Sequence, residues 1–214
     1  SHLACADEPG DPSVDEQADV FRRAIAVARD CELDVPTNHL SNSPAALTRP
    51  DLNFEMIRPG LACYGLSPIP GVDVGLRPAM TWAARVSVVK KITAGEGVSY
   101  GHTWHAPTDG YTAVITVGYA DGLPRTAQDA LSVSIGGARY SQVGRVCMDQ
   151  IVVWLGAEAS VRAGDEALIF GSGEQGEMTA DELAEGLGTI NYEVICRPSG
   201  RTMRKFKGGD GHES

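Results

Sequence analysis

Apolar positions along the chain follow two different periods. In "SVDEQADVFRRAIAVARDCEL", Val14, Ala18, Phe21, Ile25 and Ala28 recur three or four residues apart, which predicts an amphipathic helix. Ser13 and Glu16 stand at its start as an S-x-x-E capping box. "HLACADE" at the beginning reads as the end of a strand, and "VPTNHL" as a short strand closed by Asn38 and His39. Ser43 and Pro44 then read as N-cap and first-turn proline of a short helix, "PAALTR". "EMIRPGLACYGL" predicts a further strand region with a Pro-Gly break. Strand and helix signals alternate in this way up to Pro68–Gly71, a cadence that points to a parallel sheet or barrel.

Beyond "SPIPG" the period falls to two. Met80, Trp82, Ala84, Val86 and Val88 alternate through "AMTWAARVSVVKKI". "YTAVITVGY", "LSVSIGG", "RVCMDQIVVWLG" and "EALIFG" are further strand candidates, separated by Gly, Pro and Asp turns. One short helix, "TADELAEGLG", has Thr179 as its cap and is followed by "TINYEVICR". The fold class is therefore an α/β portion followed by a mostly-β domain. The expected boundaries are 1–68, 69–200 and a tail at 201–214, with "KFKGGDGHES" disordered.

The 214 residues allow one large domain or two modest ones, and 43% hydrophobic content supplies a real core. Eighteen basic against 28 acidic residues give a net charge of −10. This argues against nucleic acid or an anionic membrane as main partner, since either calls for a basic face. A small anionic ligand needs only a few donors and stays open. No apolar run approaches membrane-spanning length, and "SHLACADEPG" lacks the basic and apolar regions of a secretory signal. Cys5, Cys31, Cys63, Cys147 and Cys196 are widely spaced without C-x-x-C. They read as free thiols of a reducing cytosol, not as a disulfide framework or zinc site. The five histidines lack ligand spacing, so no metal is expected. The abrupt start on "HLACADE", without Met, leads us to expect a piece of a longer protein.

Candidate chemistry appears in two places. His2 and Asp7 flank "LACA", His39 ends "VPTNHL", and Arg58 interrupts "MIRPGLACYG". Polar groups at successive strand ends are what a barrel active site uses. Ser43 at a helix start, with the N–H groups of Gly60 and Leu61, has the makings of an anion cradle. There is no Walker lysine and no G-x-G-x-x-G. In the β-rich part, "GEGVSYGHTW" brackets Tyr100 with Gly95, Gly97 and Gly101. A phenol on such a bend either packs its ring and bonds its hydroxyl or is presented as a general acid/base.

Seven stretches, "HLACADE", "HLSNSPAAL", "IRPGLACYG", "VSYGHTW", "GYADGLPR", "GRVCMDQ" and "TINYEV", occur in the order found in one family. On them the chain resembles the alanine racemases. The resemblance implies the last strands of a (β/α)8 barrel followed by the family's β-rich domain, and pyridoxal 5′-phosphate (PLP) as cofactor. It implies that Arg58 bonds the pyridine nitrogen, with His2 and His39 behind it. Ser43, Gly60, Leu61 and Tyr192 would belong to the phosphate site. Tyr100 would be the base for one face of the substrate Cα, supplied to the other subunit of a homodimer. Met148 would offer its N–H to the substrate carboxylate, and Tyr119, Arg125, Arg145, Asp7 and Asp149 would line the substrate's route.

One departure is large. The family's PLP lysine lies in a stretch like V-K-A-N-A-Y-G-H-G, which is absent; the lysines here are Lys90, Lys91, Lys205 and Lys207. The resemblance therefore implies the C-terminal half of an isomerase that interconverts L- and D-alanine in the cytoplasm and supplies D-alanine for the peptidoglycan of the cell wall. The isolated chain is expected to be inactive. A broader amino-acid or serine racemase, and a non-catalytic β-domain used for dimerisation, are the alternatives.

Overall fold

A computed structural model of the chain describes residues 1–208. By internal packing it divides into two compact units, Ser1–Ala79 and a second from Met80 onward.

The first unit opens on turns, not on the expected strand end. The Ser1 amino group donates to the His39 carbonyl oxygen at 2.9 Å, one bond where a ladder needs several. Helix α1 (Ser13–Asp30) buries Val14 and Ala18 against Leu3, Ala6, Leu40, Ala45 and Leu52. Phe21 meets Phe54 edge-on, with centroids 5.1 Å apart. The expected capping box does not form: Pro12 is the N-cap and makes no side-chain cap bond. Asp11 does the work instead, accepting from the Ser13 N–H at 2.8 Å. Its bonds to Ser13 hold the Asp11 carboxyl below its usual range.

Strand β1 (His39–Asn42) lies parallel to β2 (Met56–Arg58). His39 thus opens its strand, where the sequence pattern had it close one. Helix α2 (Ser43–Thr48) follows without a loop, and its cap is Asn42, which accepts from the Ala45 N–H at 3.3 Å. The Ser43 hydroxyl is occupied elsewhere, accepting from the Ala62 N–H at 3.2 Å, so capping falls to the residue before it. A 3₁₀ turn at Leu61–Tyr64 follows β2.

The second unit contains β3 (Trp82–Ile92), the small antiparallel pair β4 (Gly97–Val98) and β5 (Trp104–His105), then β6 (Gly110–Ile115), β7 (Ser132–Ile135), β8 (Ala138–Val143), β9 (Ile151–Gly156) and β10 (Glu166–Phe170). Six of them close into a barrel in the order β10-β3-β6-β9-β8-β7, with β7 pairing back to β10. Trp82 and Phe170 pack inside it, with ring centroids 5.9 Å apart. Trp82 and Val86 are buried as the alternation predicts, but Val88 is 47% exposed. The register shifts between Val86 and Val88, and such an irregularity turns the following side chains to the other face.

Two further differences concern strands. Arg145–Gln150, expected as the start of a strand, is a loop in which the Cys147 N–H bonds back to the Gln150 carbonyl at 3.1 Å. β8 was not expected at all, because only Gln142 and Val143 of its six residues are buried. Helix α3 (Ala180–Leu187) carries the Thr179–Glu182 capping box, and α4 (Asn191–Cys196) packs on it. Of the expected tail, residues 209–214 lie outside the described residues; 201–208 form no helix or strand. Among the described residues no helix is long and apolar enough to cross a membrane.

Candidate functional site

In the first unit, Arg58 stands at the end of β2 and its guanidinium gathers three partners. It contacts His39 Nδ1, reaches His2 Nδ1 at 3.2 Å, and donates to the Ser1 carbonyl oxygen at 2.6 Å. Guanidinium has only donors, so each ring nitrogen facing it must accept. This sets the tautomer of both imidazoles, with any ring proton on Nε2. Close by in sequence, the Gly60 N–H returns to the Arg58 carbonyl at 3.0 Å. The buried Ser43 hydroxyl joins the start of α2 to the 3₁₀ turn that begins at Leu61. Asp7 is exposed on the opening turns, outside this cluster.

In the second unit, Tyr100 is 72% exposed, yet the backbone beneath it is tightly specified. Ser99 has φ 65° and ψ −179°, Gly101 has φ 75° and His102 has φ 45°. The Ser99 conformation is close to glycine-only, costs on the order of 1–3 kcal/mol, and persists only where the surroundings enforce it. They do: the Ser99 hydroxyl donates to the Arg145 carbonyl at 2.9 Å and lies 3.4 Å from Cys147 Sγ, while the His102 N–H closes the turn on the Ser99 carbonyl at 3.2 Å. Gly101 is free to take positive φ, and the Arg145 guanidinium lies against it.

Two recesses meet at Tyr100. One, of about 600 Å³, is lined by Ser99–His102 and Cys147–Gln150. The other, of about 230 Å³, is lined by Tyr100, Tyr119, Arg125, Arg145, Val146 and Cys147. Six of the residues singled out from the sequence, Tyr100, Tyr119, Arg125, Arg145, Met148 and Asp149, thus share one surface. Tyr192, on α4, lines neither recess.

What holds that surface was not visible in the sequence. The Tyr119 and Ala120 N–H groups donate to the Cys147 and Met148 carbonyls, each at 3.0 Å. Gly118 makes this approach possible, since a Cβ there would overlap both oxygens. Asp121, 8% exposed, accepts from the Gly118 N–H at 2.9 Å and from Arg201. Arg201 also bonds Asp149 at 2.8 Å. The bond to Asp149 first, and then the charge of Asp121, raise the guanidinium's pKa above its ordinary value. The "ADG" of "GYADGLPR" signals a turn, which could have marked Asp121; nothing local marks Arg201. Chemically, the surface offers an exposed phenol for proton transfer, between cations and a carboxylate suited to a small zwitterion. Among the described residues no cluster of three metal-ligating side chains occurs.

Residues 1–68 match the alanine racemase N-terminal domain and residues 79–206 the alanine racemase C-terminal domain. The alanine racemase of Corynebacterium efficiens is 62% identical over 97% of this chain and 56% of that protein. That of Mycobacterium tuberculosis is 50% identical over 97% of this chain and 54% of that protein. The crystal structure of alanine racemase from D-cycloserine-producing Streptomyces lavendulae superposes with a TM-score of 0.91 at 46% identity, covering 98% of this chain and 56% of that one. The chain spans about half the length of the curated relatives it matches.

Proposed function

From the premise that this chain belongs to the alanine racemase family, we propose that the complete protein is a PLP-dependent isomerase that interconverts L- and D-alanine. Residues 1–68 then supply the last strands of a (β/α)8 barrel, and residues 69–200 the family's β-rich domain. The observation that carries the reading is the surface around Tyr100: an exposed phenol on an enforced backbone, at the meeting point of two recesses lined by Tyr119, Arg125, Arg145, Met148 and Asp149.

The donor set of the first unit suits PLP. Arg58 is a permanent cation that only donates, and Ser43 brings a hydroxyl to two adjoining helix starts, where anions are favoured. PLP, when bound, supplies the electron withdrawal that acidifies the Cα–H of an amino acid. Arg58 would hold the pyridine nitrogen by a donated hydrogen bond and leave it without a proton of its own. Withdrawal is thereby kept moderate, which favours return of the proton over side reactions. His2 and His39 orient the guanidinium. Ser43, with the Leu61 N–H and the Gly60 N–H once it leaves the Arg58 carbonyl, would hold the phosphate.

Tyr100 takes up or returns the proton on one face of Cα, and its outward placement fits delivery to a second copy of the protein in a homodimer. The Met148 N–H serves the substrate carboxylate, and Tyr119, Arg125, Arg145 and Asp149 line the way in. The opposite face is left to a lysine in the family stretch that this sequence lacks, so the 214-residue chain alone should not racemise. The expected setting is the cytoplasm, with D-alanine passing to peptidoglycan.

The test is Tyr100→Phe in the complete protein. It keeps the ring and removes only the oxygen, so racemisation should fall by about 10²–10⁴-fold. Cofactor absorbance and dimerisation should be retained, and exchange of the L-alanine Cα proton with solvent should fall more than exchange from D-alanine. Racemisation near the wild-type rate would mean that the phenol merely packs.

A further inference from the structure

Arg201 sits in a stretch without helix or strand, just after "RPSG". Its guanidinium nevertheless joins two loops of the second unit. Nε and Nη2 donate to the two oxygens of Asp121 at 3.1 and 3.2 Å, and Nη2 also reaches Asp149 Oδ1 at 2.8 Å. Asp121 is nearly buried, and a buried carboxylate is tolerated only when paired and hydrogen-bonded. The same aspartate is gripped through its backbone: its carbonyl accepts from the Ser199 N–H at 3.0 Å and the Thr202 hydroxyl at 3.4 Å. Residues 199–202 are thus stitched to the turn that carries Tyr119. The arm to Asp149 extends the stitch to the loop that carries Met148.

The two halves of this grip differ in kind. The Asp121 half neutralises a buried charge and has a structural reason to exist. The Asp149 half ends on an exposed carboxylate, where an ion pair adds little to stability. Its effect is to hold that carboxylate in one place on the wall of the recess beside Met148 and Tyr100. One guanidinium serving two carboxylates in different directions needs the planar fork of arginine; a lysine ammonium has no such fork.

We propose that Arg201 is a positioning residue for the route taken by the amino-acid substrate, acting through Asp149 to fix the Met148 loop against the Tyr119 turn; this rests on the racemase reading above. In the complete protein, Arg201→Met should raise KM for alanine about tenfold, the scale of losing a hydrogen bond to a charged group, with a smaller change in kcat. Asp149→Asn removes only the exposed arm and leaves the Asp121 pair, so it should fold normally and raise KM similarly. Adding it to Arg201→Met should bring little further change, because the two act on one contact. Arg201→Lys should recover only part of the loss.

A second readout does not depend on activity: exchange of the Tyr119 and Ala120 amide hydrogens should quicken in Arg201→Met. The proposal is overturned by an unchanged KM, by effects of the two substitutions that multiply, by full rescue with lysine, or by unaltered amide exchange. A wild-type protein without racemase activity removes the premise, and the exchange data then still report whether the grip on the loops exists.

Discussion

Around Arg58, side chains hold one another; around Tyr100, the backbone is held and the side chain is left in solvent. Arg58 is met by two imidazoles and a carbonyl, so each group's orientation depends on the others. Among the described residues no side-chain hydrogen bond fixes Tyr100, which is 72% exposed. Its place is set by the strained Ser99, by the bond from Ser99 to the Arg145 carbonyl, and by the close approach of Gly118 to the Cys147–Met148 peptide. The same contrast runs through the carboxylates. In the first unit Asp15 and Asp51 answer to the Arg49 guanidinium in the open. In the second, buried Glu177 answers to the backbone N–H groups of Gly173 and Gln175, and buried Asp121 to the Gly118 N–H as well as to Arg201. A group that must orient a fixed partner can be locked by side chains. A group that must meet a mobile substrate is better carried by a locked backbone, free at its own tip.

If the second unit is backbone-held, Gly118 should be highly sensitive to substitution. Gly118→Ala drives a methyl group into two carbonyl oxygens and parts the Tyr119 and Ala120 bonds, which should cost about 2–3 kcal/mol. The urea midpoint of the complete protein measures this, and an unmoved midpoint would remove the basis for the comparison.

Next in size is Glu177. Burial alone would raise its pKa, but the N–H bonds in its turn, from Gly173 at 2.9 Å and Gln175 at 2.8 Å among them, outweigh burial, and the net shift is downward. A depressed carboxyl pKa stabilises the fold fully above the unfolded value of about 4.3. That stabilisation is lost as pH falls through the lower folded value. Glu177→Gln should cost about 1–2 kcal/mol at pH 7, and the wild type should lose more stability than the variant on acidification to about pH 3.5. Parallel acid profiles for the two proteins would rule this role out.

The smallest effect belongs to the first unit. Half-buried Arg49 bonds the exposed Asp15 at 2.7 Å and the exposed Asp51 at 2.9 Å. Arg49→Met should cost less than about 1 kcal/mol, and the loss should shrink in about 1 M salt. A larger, salt-insensitive loss would show that exposed side-chain pairs carry the first unit more than the comparison allows.

The sequence made the second of these regions half legible. Tyr100 announced itself through its flanking glycines, and Thr179 as a helix cap, which the structure extends to a capping box with Glu182. Ser13 with Glu16 had the same pattern, but Asp11 competes for the helix start and takes the bond. Strand β8 escaped notice because four of its six residues face outward or lie half-buried, leaving no apolar alternation. The "RVCMDQ" stretch reads as apolar enough for a strand, yet the Cys147–Gln150 bond folds it into a turn. Arg201 was invisible for another reason: its partners lie 52 and 80 positions earlier in the chain, and no local pattern encodes a contact over that distance.

Barrel closure has a consequence in time. β10 is the strand that joins β3 to β7, and it is the last of the six to leave the ribosome. Until residues 166–170 have been made, β3 and β7 must each present a row of unpaired N–H and C=O groups, the kind of edge on which foreign strands add. During synthesis the second unit therefore passes through an open, adhesive sheet, and only its final strand makes it safe.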